Sequence, residues 1–272
     1  MGGWHPPGCR AAWGVTRPAD AVARHPLDEP PWVWDGGRVD AERPGFGAST
    51  RLPGRRFREH ADDLAELLDH LGLDSVFAVG VSGAAPHVLA LCVYHPDRVR
   101  AASVVGGIAP LTDADCEGLH PELTKTRDRL RSGRLAEEAA DLDGFREMVL
   151  ADPVAPFAAY MADAPPPDQA VLSDPVFRAT LARSMTEALA PGTGGWLDEE
   201  VATDAEWDVD PTQVPTSLTW FHARDDANTP IGPARRLVAE LPRGKFVEWR
   251  DAGHLSGYTR AAEVLDDLLG RG

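Results

Sequence analysis

One stretch constrains this sequence more than any other, residues 76–90, which read VFAVGVSGAAPHVLA. A short apolar run ends in a turn of small residues, and an Ala/Leu-rich segment with helical spacing follows at once. The pattern predicts a strand, a sharp turn with Ser82 at its apex, and a helix. Gly80 and Ala84 lie two residues to either side, where a larger side chain would collide with the strand or the helix. The Ser82 hydroxyl should therefore stand clear of the sheet, with the Gly83 amide at a helix N-terminus that stabilises an anion.

The G-x-S-x-A pattern is weak evidence when taken alone. It arises by chance in roughly one chain in five of this length, and its simplest alternative is a Gly-rich turn with a helix-capping serine. Its meaning therefore depends on the segments around it and on partners further along the chain.

Strands and helices alternate on both sides of this turn, which is typical of a parallel sheet. We therefore predict an α/β fold, with a weaker strand candidate at residues 37–41. The predicted strands of the core are residues 75–79, 100–105, 217–222 and 245–249, and its predicted helices are residues 57–71, 83–94, 233–241 and 258–269.

The middle of the chain differs from this core in composition and in charge. Residues 111–214 hold 22 acidic and 8 basic side chains, which accounts for most of the net charge of -16. Three helical patterns broken by Pro and Gly occur there, at residues 119–131, 135–150 and 175–189. We predict a helical cap at residues 110–214, inserted between core segments 1–109 and 215–272. Such an insertion would lie over the carboxyl ends of the strands, where open parallel sheets bind ligands.

The bulk composition excludes several classes of protein. A strongly acidic chain is a poor partner for nucleic acid, and the acidic cap favours neutral or cationic substrates over anionic ones. The three cysteines, Cys9, Cys92 and Cys116, have neither zinc-ligand spacing nor a disulfide framework. No apolar run approaches the length of a membrane span, and no signal-peptide core is found. These features predict a soluble cytoplasmic protein with no membrane partner, and they carry no information on its oligomeric state.

A nucleophilic serine needs a base to take its proton and a carboxylate to orient that base. Both should follow later strands, in the order serine, acid, histidine. After the strand at 217–222 come Asp225 and Asp226, and after the strand at 245–249 comes His254 in the loop DAGHL. Either aspartate could instead cap the following turn, and His254 could be an ordinary surface histidine.

Three further side chains are candidates for the wall of a substrate pocket. His87 lies five residues after Ser82 on the predicted helix, and Trp196 and Trp207 lie in the acidic middle segment. The alternative for all three is ordinary helix packing.

Four segments together resemble the α/β-hydrolase superfamily, in particular the capped bacterial serine hydrolases of its esterase and peptidase-like branch. They are ERPGFGAS, GVSGAAPHVLALCVYHPDRV, FHARDDANTP and DAGHL, and the resemblance runs from Glu42 to the C-terminus. It implies a mostly parallel sheet flanked by helices with an inserted helical cap, and no cofactor or metal. It also implies a triad of Ser82, Asp226 and His254, with the Gly83 amide in the oxyanion hole. The sharp turn at Ser82 corresponds to the nucleophile elbow of this superfamily. A serine at the elbow differs from the aspartate that the epoxide-hydrolase and dehalogenase branches have there.

The N-terminal region departs from this pattern. The family has early strands that lead to an H-G-x-P-G-type loop, which donates the second oxyanion amide. Residues 5–10, HPPGCR, followed by Trp13, resemble a shortened remnant of that loop, and a prolyl nitrogen has no hydrogen to donate. We therefore expect missing early strands, a chain shortened at its N-terminus and an impaired second oxyanion donor.

The residues and the resemblance together predict a serine hydrolase that cleaves a carboxylic ester or a similar small acyl substrate. One alternative is a catalytically impaired relative that only binds a ligand. Another is an aminopeptidase of the proline-iminopeptidase type, in which Asp198, Glu199 or Glu200 holds the substrate ammonium group. The simpler interpretation of these three acidic residues is a solvated helix face. Neither the natural substrate nor its pathway can be read from the sequence.

Overall fold

The computed structural model describes residues 13–16, 38–116 and 119–271, and four parallel strands form its centre. The strands are β1 (Trp13–Thr16), β2 (Arg38–Val39), β3 (Val76–Val81), β4 (Val99–Val105), β5 (Leu218–Ala223) and β6 (Gly244–Trp249). The four parallel strands follow one another in space in the order β3, β4, β5 and β6. The short strands β1 and β2 extend the sheet on the β3 side, where β1 pairs antiparallel with both neighbours.

Helices cover both faces of this sheet, because the central strands are apolar on both sides. On one face Leu64, Leu89 and Leu237 pack with Trp220 in a single buried cluster. On the other face Leu268 packs against the β3 and β4 strands. The helices of the core are α1 (Phe57–His70), α2 (Ala85–Tyr94), α9 (Ile231–Glu240), α10 (Ser256–Thr259) and α11 (Ala261–Leu269). The α/β prediction is confirmed, and each of the four predicted core strands ends within two residues of its observed bounds.

Six α-helices of the described residues lie between β4 and β5, and we refer to them as the inserted helices. They bury an apolar cluster of their own, centred on Phe157, Leu181 and Met185, which Leu255 of the core joins. Three were not predicted. Two are short and have a proline at one of their first two positions, and one begins with a Gly pair that is typical of a turn. The inserted helices are α3 (Pro121–Arg131), α4 (Leu135–Ala151), α5 (Ala155–Tyr160), α6 (Pro166–Ser173), α7 (Pro175–Leu189) and α8 (Gly194–Asp204). The domain bounds at 109/110 and 214/215 stay predictions.

The N-terminal region differs from the expectation at one described place. Trp13, interpreted as part of a shortened loop, begins strand β1, which pairs antiparallel with β3. The strand is only four residues long and lies in no extended run of alternating apolar and polar residues, so its sequence pattern did not predict it. The weak strand candidate at 37–41 contains β2. Residues 5–10, the suspected loop remnant, lie outside the described residues. Within the described ranges, no helix is long and apolar enough to cross a membrane.

Candidate active site

Ser82 lies at the sharp turn between β3 and α2, as the sequence predicts. Its φ angle is 53°, in the left-handed region that a residue with a side chain rarely adopts. A Cβ atom at Gly80 would come within 2.6 Å of Val88 Cγ2 and 3.1 Å of the Ala84 carbonyl oxygen. The turn therefore requires the small residue at position 80, and a strained backbone conformation at the serine is typical of functional sites.

The structure brings the predicted serine, histidine and aspartate together. His254 Nε2 lies 3.1 Å from Ser82 Oγ, and His254 Nδ1 lies 2.7 Å from Asp226 Oδ2. The distances fit a serine hydroxyl that donates to Nε2 and an Nδ1–H that donates to the carboxylate. Serine and histidine are buried, with 6% and 2% of their surface exposed, so bulk water competes little with these hydrogen bonds.

The structure distinguishes between the two candidate aspartates. Asp225 is exposed, whereas the Asp226 side chain is fully buried beside His254. Asp226 also accepts the backbone amides of Asn228 and Thr229, at 2.9 and 2.8 Å, and the Thr229 hydroxyl at 2.9 Å. Burial opposes ionisation of this carboxyl, but the His254 ring and these donors outweigh it and lower the pKa of Asp226 below 3.8. Asp226 is therefore held as a carboxylate against the histidine ring.

Gly106, the residue after β4, gives the acid and the histidine room to meet. Its φ is +53°, and a Cβ there would lie 3.3 Å from Asp226 Oδ2 and 3.4 Å from His254 Nδ1. His222 is fully buried below this site, and its Nε2 lies 2.8 Å from the Thr229 carbonyl oxygen. Burial lowers the pKa of His222, so the ring stays neutral and fixes the loop that carries Asp226.

Asp168 is a residue of this site that the sequence analysis missed. It lies on the inserted helix α6, and its carboxylate accepts the backbone amides of His254 at 3.0 Å and Leu255 at 2.8 Å. A Cβ at Gly253 would lie 2.4 Å from this carboxylate, so the glycine makes the approach possible. In the sequence, an acidic residue in the first turn of a helix is ordinary, and nothing local connects it to a loop 86 residues away.

A cavity of about 140 Å³ opens beside Ser82 and Gly83, between the sheet and the inserted helices. The Gly83 amide lies in the 3₁₀ turn Ser82–Ala84 that leads into α2, and backbone N–H groups at a helix start can donate to an anion. Much of the cavity wall is aliphatic, with Ile108, Leu111, Leu119, Leu123 and Leu130 among its lining residues.

A buried ionic network closes the end of the cavity that lies between α1, α2 and α8. Glu199 accepts Arg43 on one oxygen and Arg55 on the other, both at 2.6 Å, and His87 Nε2 lies 2.7 Å from its Oε1. Burial opposes ionisation of Glu199, but Arg43, His87 and Arg55 outweigh it and hold its pKa well below 4.5. Burial of the His87 ring lowers its own pKa to about 4. The second His87 nitrogen lies 3.0 Å from His60 Nδ1.

The three candidate wall residues occupy different places. His87 is fully buried one layer behind Glu199 and is absent from the described cavity wall. Trp207 is also absent from that wall and packs edge-on against Phe57, with ring centroids 5.5 Å apart. Trp196 lines a second, adjoining cavity of about 690 Å³ and donates from Nε1 to Glu200 at 2.9 Å.

The solvated-face interpretation of Asp198, Glu199 and Glu200 is wrong, because all three are buried. A Cβ at Gly195 would lie 2.5 Å from the Gly45 carbonyl oxygen, so the glycines at the start of α8 let this helix pack directly on the ERPGFG turn. That approach brings Asp198 to Arg51, with atoms 2.7 Å apart. Asp198 and Glu199 are far in the sequence from the arginines that they pair with, and only the fold shows that their charges are compensated.

The fold and the hydrogen-bonded Ser82, His254 and Asp226 define the class of protein. A family model described as the alpha/beta hydrolase fold matches residues 41–261, and the chain belongs to that family.

Solved structures of similar fold include enzymes with several activities. The chain is similar to an esterase from Thermogutta terrifontis, with 20% identity, a TM-score of 0.62, and coverage of 96% of this chain and 93% of that one. A bromoperoxidase from Bacillus anthracis is 20% identical, with a TM-score of 0.63 and coverage of 96% and 95%. The enol-lactonase from Burkholderia xenovorans LB400 is 19% identical, with a TM-score of 0.56 and coverage of 87% and 81%. At such identities these likenesses concern the fold alone.

Proposed function

We propose that this protein is a serine hydrolase that cleaves a carboxylic ester or a similar small acyl substrate. The observation that carries the proposal is the continuous contact from Ser82 Oγ through both nitrogens of His254 to Asp226, with distances of 3.1 and 2.7 Å. This arrangement activates a hydroxyl that is otherwise a weak nucleophile near pH 7. It opens into a largely aliphatic cavity, which suits a small acyl substrate.

The proposed mechanism gives each of these groups a role. His254 Nε2 takes the proton of Ser82 as Oγ attacks the substrate carbonyl carbon, and Asp226 stabilises the imidazolium that forms. The Gly83 amide donates to the oxyanion of the tetrahedral intermediate. His254 then protonates the leaving alkoxide, and the acyl group stays on Ser82. A water molecule, deprotonated by His254, then attacks the carbonyl carbon of the acyl-enzyme. The bond from that carbon to Ser82 Oγ breaks, His254 returns the proton to Oγ, and the acid leaves.

A fluorophosphonate probe tests the nucleophile directly, because it labels activated serines. We expect labelling of the wild-type protein, loss of labelling in Ser82→Ala and retention in Ser184→Ala, which changes a buried serine on the inserted helix α7. Hydrolysis of aryl esters of short alkanoic acids should follow the same order. A folded wild-type protein that neither reacts with the probe nor cleaves any ester would refute the proposal and leave the ligand-binding alternative.

The aminopeptidase alternative is less well supported. It requires acidic side chains free to hold a substrate ammonium group. Asp198 is paired with Arg51, and Glu199 with Arg43 and Arg55. Only Glu200 of the three lacks a cationic partner among the described residues. Absence of cleavage of aminoacyl arylamides under conditions where esters are cleaved would exclude this alternative.

A further inference from the structure

Glu200 differs from every other acidic residue around the cavity. Its surface is 7% exposed, its Oε1 accepts the Trp196 indole N–H at 2.9 Å, and its Oε2 has no hydrogen-bond partner among the residues described. Buried polar atoms are nearly always satisfied, so an unsatisfied one next to a ligand cavity calls for an explanation.

The position of Glu200 connects it to the reacting serine. It lines the cavity of about 140 Å³ that also contains Ser82 and Gly83. It lines the adjoining cavity of about 690 Å³ as well, and Thr126 is shared between the two. A molecule that occupies the first cavity and extends toward the second would pass the Glu200 side chain.

The charges around Glu200 are already compensated. Arg127 pairs with Asp204 at 2.7 Å, and Arg129 pairs with Glu138 at 3.1 Å. Arg43 and Arg55 both form salt bridges with Glu199. Lys125, which lines the second cavity together with Glu200, pairs with Asp141 at 2.5 Å. Each of these five cations in the described part of the chain is therefore already paired with another acid. Burial, and after it the negative charge of Glu138, raise the pKa of Glu200 well above 4.5.

We propose that Glu200 is a substrate-binding residue, whose Oε2 donates a hydrogen bond to an uncharged oxygen of the substrate, a carbonyl or a hydroxyl, away from the scissile ester. An ammonium group fits less well, because it has three donors to satisfy and the other carboxylates of the wall are paired with arginines. A neutral oxygen needs only the one donor that this carboxyl has left. The inference rests on the proposed hydrolase function and narrows it to acyl substrates with a second oxygen function.

Two variants separate hydrogen bonding from charge and from packing. Glu200→Gln keeps an oxygen for Trp196 and a donor for the substrate, whereas Glu200→Leu removes both. Glu240→Gln, at an exposed position on α9, is the control for loss of one negative charge. The substrates are matched esters of equal length with and without a ketone, placed in the acyl part in one series and in the alcohol part in another. A third series carries an ammonium group in place of the ketone.

We expect the wild-type protein to prefer one ketone ester over its hydrocarbon match by about fivefold or more in kcat/KM, the effect of one hydrogen bond. Glu200→Gln and Glu240→Gln should keep this preference, and Glu200→Leu should lose it while the hydrocarbon ester is still cleaved. Equal preference in Glu200→Leu and in the wild type would overturn the inference. So would a wild-type preference for the ammonium ester that Glu200→Gln abolishes, since this identifies an ionised carboxylate.

Binding to Ser82→Ala distinguishes failure of this inference from failure of the proposed function. Isothermal titration calorimetry with two matched amides, one with the ketone and one without, measures binding in the cavity in the absence of turnover. A ketone preference that disappears in Ser82→Ala/Glu200→Leu supports Glu200 even if no ester is cleaved. No preference in this assay counts against Glu200 whatever the activity. Thermal unfolding of each variant verifies that it is folded.

Discussion

The carboxylate of Asp168 accepts a hydrogen bond from the backbone N–H of His254 at 3.0 Å. The acid belongs to the inserted helices, and the histidine belongs to the loop after β6. The same carboxylate holds the Leu255 amide at 2.8 Å, so it clamps two consecutive peptide groups. The inserted helices therefore fix the backbone of the loop that carries the proposed base, in addition to covering the cavity.

Replacing Asp168 should therefore impair catalysis without any contact to the substrate. In Asp168→Ala the two amides lose their acceptor and His254 loses its fixed distance to Ser82. We expect kcat to fall by about 10- to 100-fold with little change in KM, because misplacement by about 1 Å affects the reaction more than binding. Asp168→Asn should be intermediate, since its amide offers one acceptor where two are needed.

The control for this loss is Asp163→Ala, an exposed acid shortly before α6, which should leave both constants unchanged. Thermal unfolding of the same variants separates positioning from general destabilisation. Loss of positioning should lower kcat in a protein that stays folded at the assay temperature, whereas a weakened fold should lower the melting temperature as well. Full activity of Asp168→Ala would show that the clamp is dispensable.

Two adjacent aspartates, Asp226 and Asp225, provide a matched pair of variants that tests the acid of the proposed triad. Asp226→Asn should lower kcat by about 10³- to 10⁴-fold, because an amide no longer holds the reactive tautomer of His254. Asp225→Asn removes the same charge one residue away, from an exposed side chain, and should change kcat less than twofold. Steady-state kinetics on an aryl ester measures both. Comparable losses in the two variants would contradict the assignment of Asp226.

Gly106 offers a test of steric crowding at the contact between Asp226 and His254. Gly106→Ala would place a Cβ 3.3 Å from Asp226 Oδ2 in a backbone conformation that favours glycine. Gly133→Ala has the same conformational strain, with φ at +70°, but no atom within 4 Å of the added carbon. We expect both to lower the free energy of unfolding by about 1 kcal/mol. Only Gly106→Ala should also lower kcat, and unchanged activity in that variant would show that the site absorbs the methyl group.

The elbow and the partners of Ser82 could be predicted because their signals are local. A serine between small residues, at the junction of a strand and a helix, has few structural alternatives, and chain order then limits the acid and the base to loops after later strands. The choice of Asp226 over Asp225 needed the family pattern, because both follow the same strand. The structure separates them by burial.

Neither the role of Asp168 nor the burial of the acidic residues 198–200 could be predicted, and the reason lies in the packing of the helices. Both depend on how inserted helices dock on the core, and helical periodicity does not contain that information. An acid buried against an arginine 147 residues away reads in the sequence like an acid facing water. The Gly pair that opens α8 was the one available signal, since glycines there permit close backbone approach.

The buried carboxyl of Glu200 should make stability depend on pH in a direction opposite to that of a salt-bridged acid. Below pH 4.5 the group is protonated in both folded and unfolded chains and contributes nothing. As pH rises, the unfolded chain loses this proton while the folded chain keeps it, because the folded pKa is raised, so folding becomes less favourable. The free energy of unfolding of the wild-type protein should therefore fall by up to about 1.4 kcal/mol per pH unit relative to that of Glu200→Gln, until the folded pKa is reached.

Urea unfolding of both proteins between pH 5 and 8 measures this gap, in a range above the lowered pKa of Asp226. Glu240→Gln should show a gap that stays constant, and a constant gap for Glu200→Gln would mean that Glu200 is ionised in the folded protein.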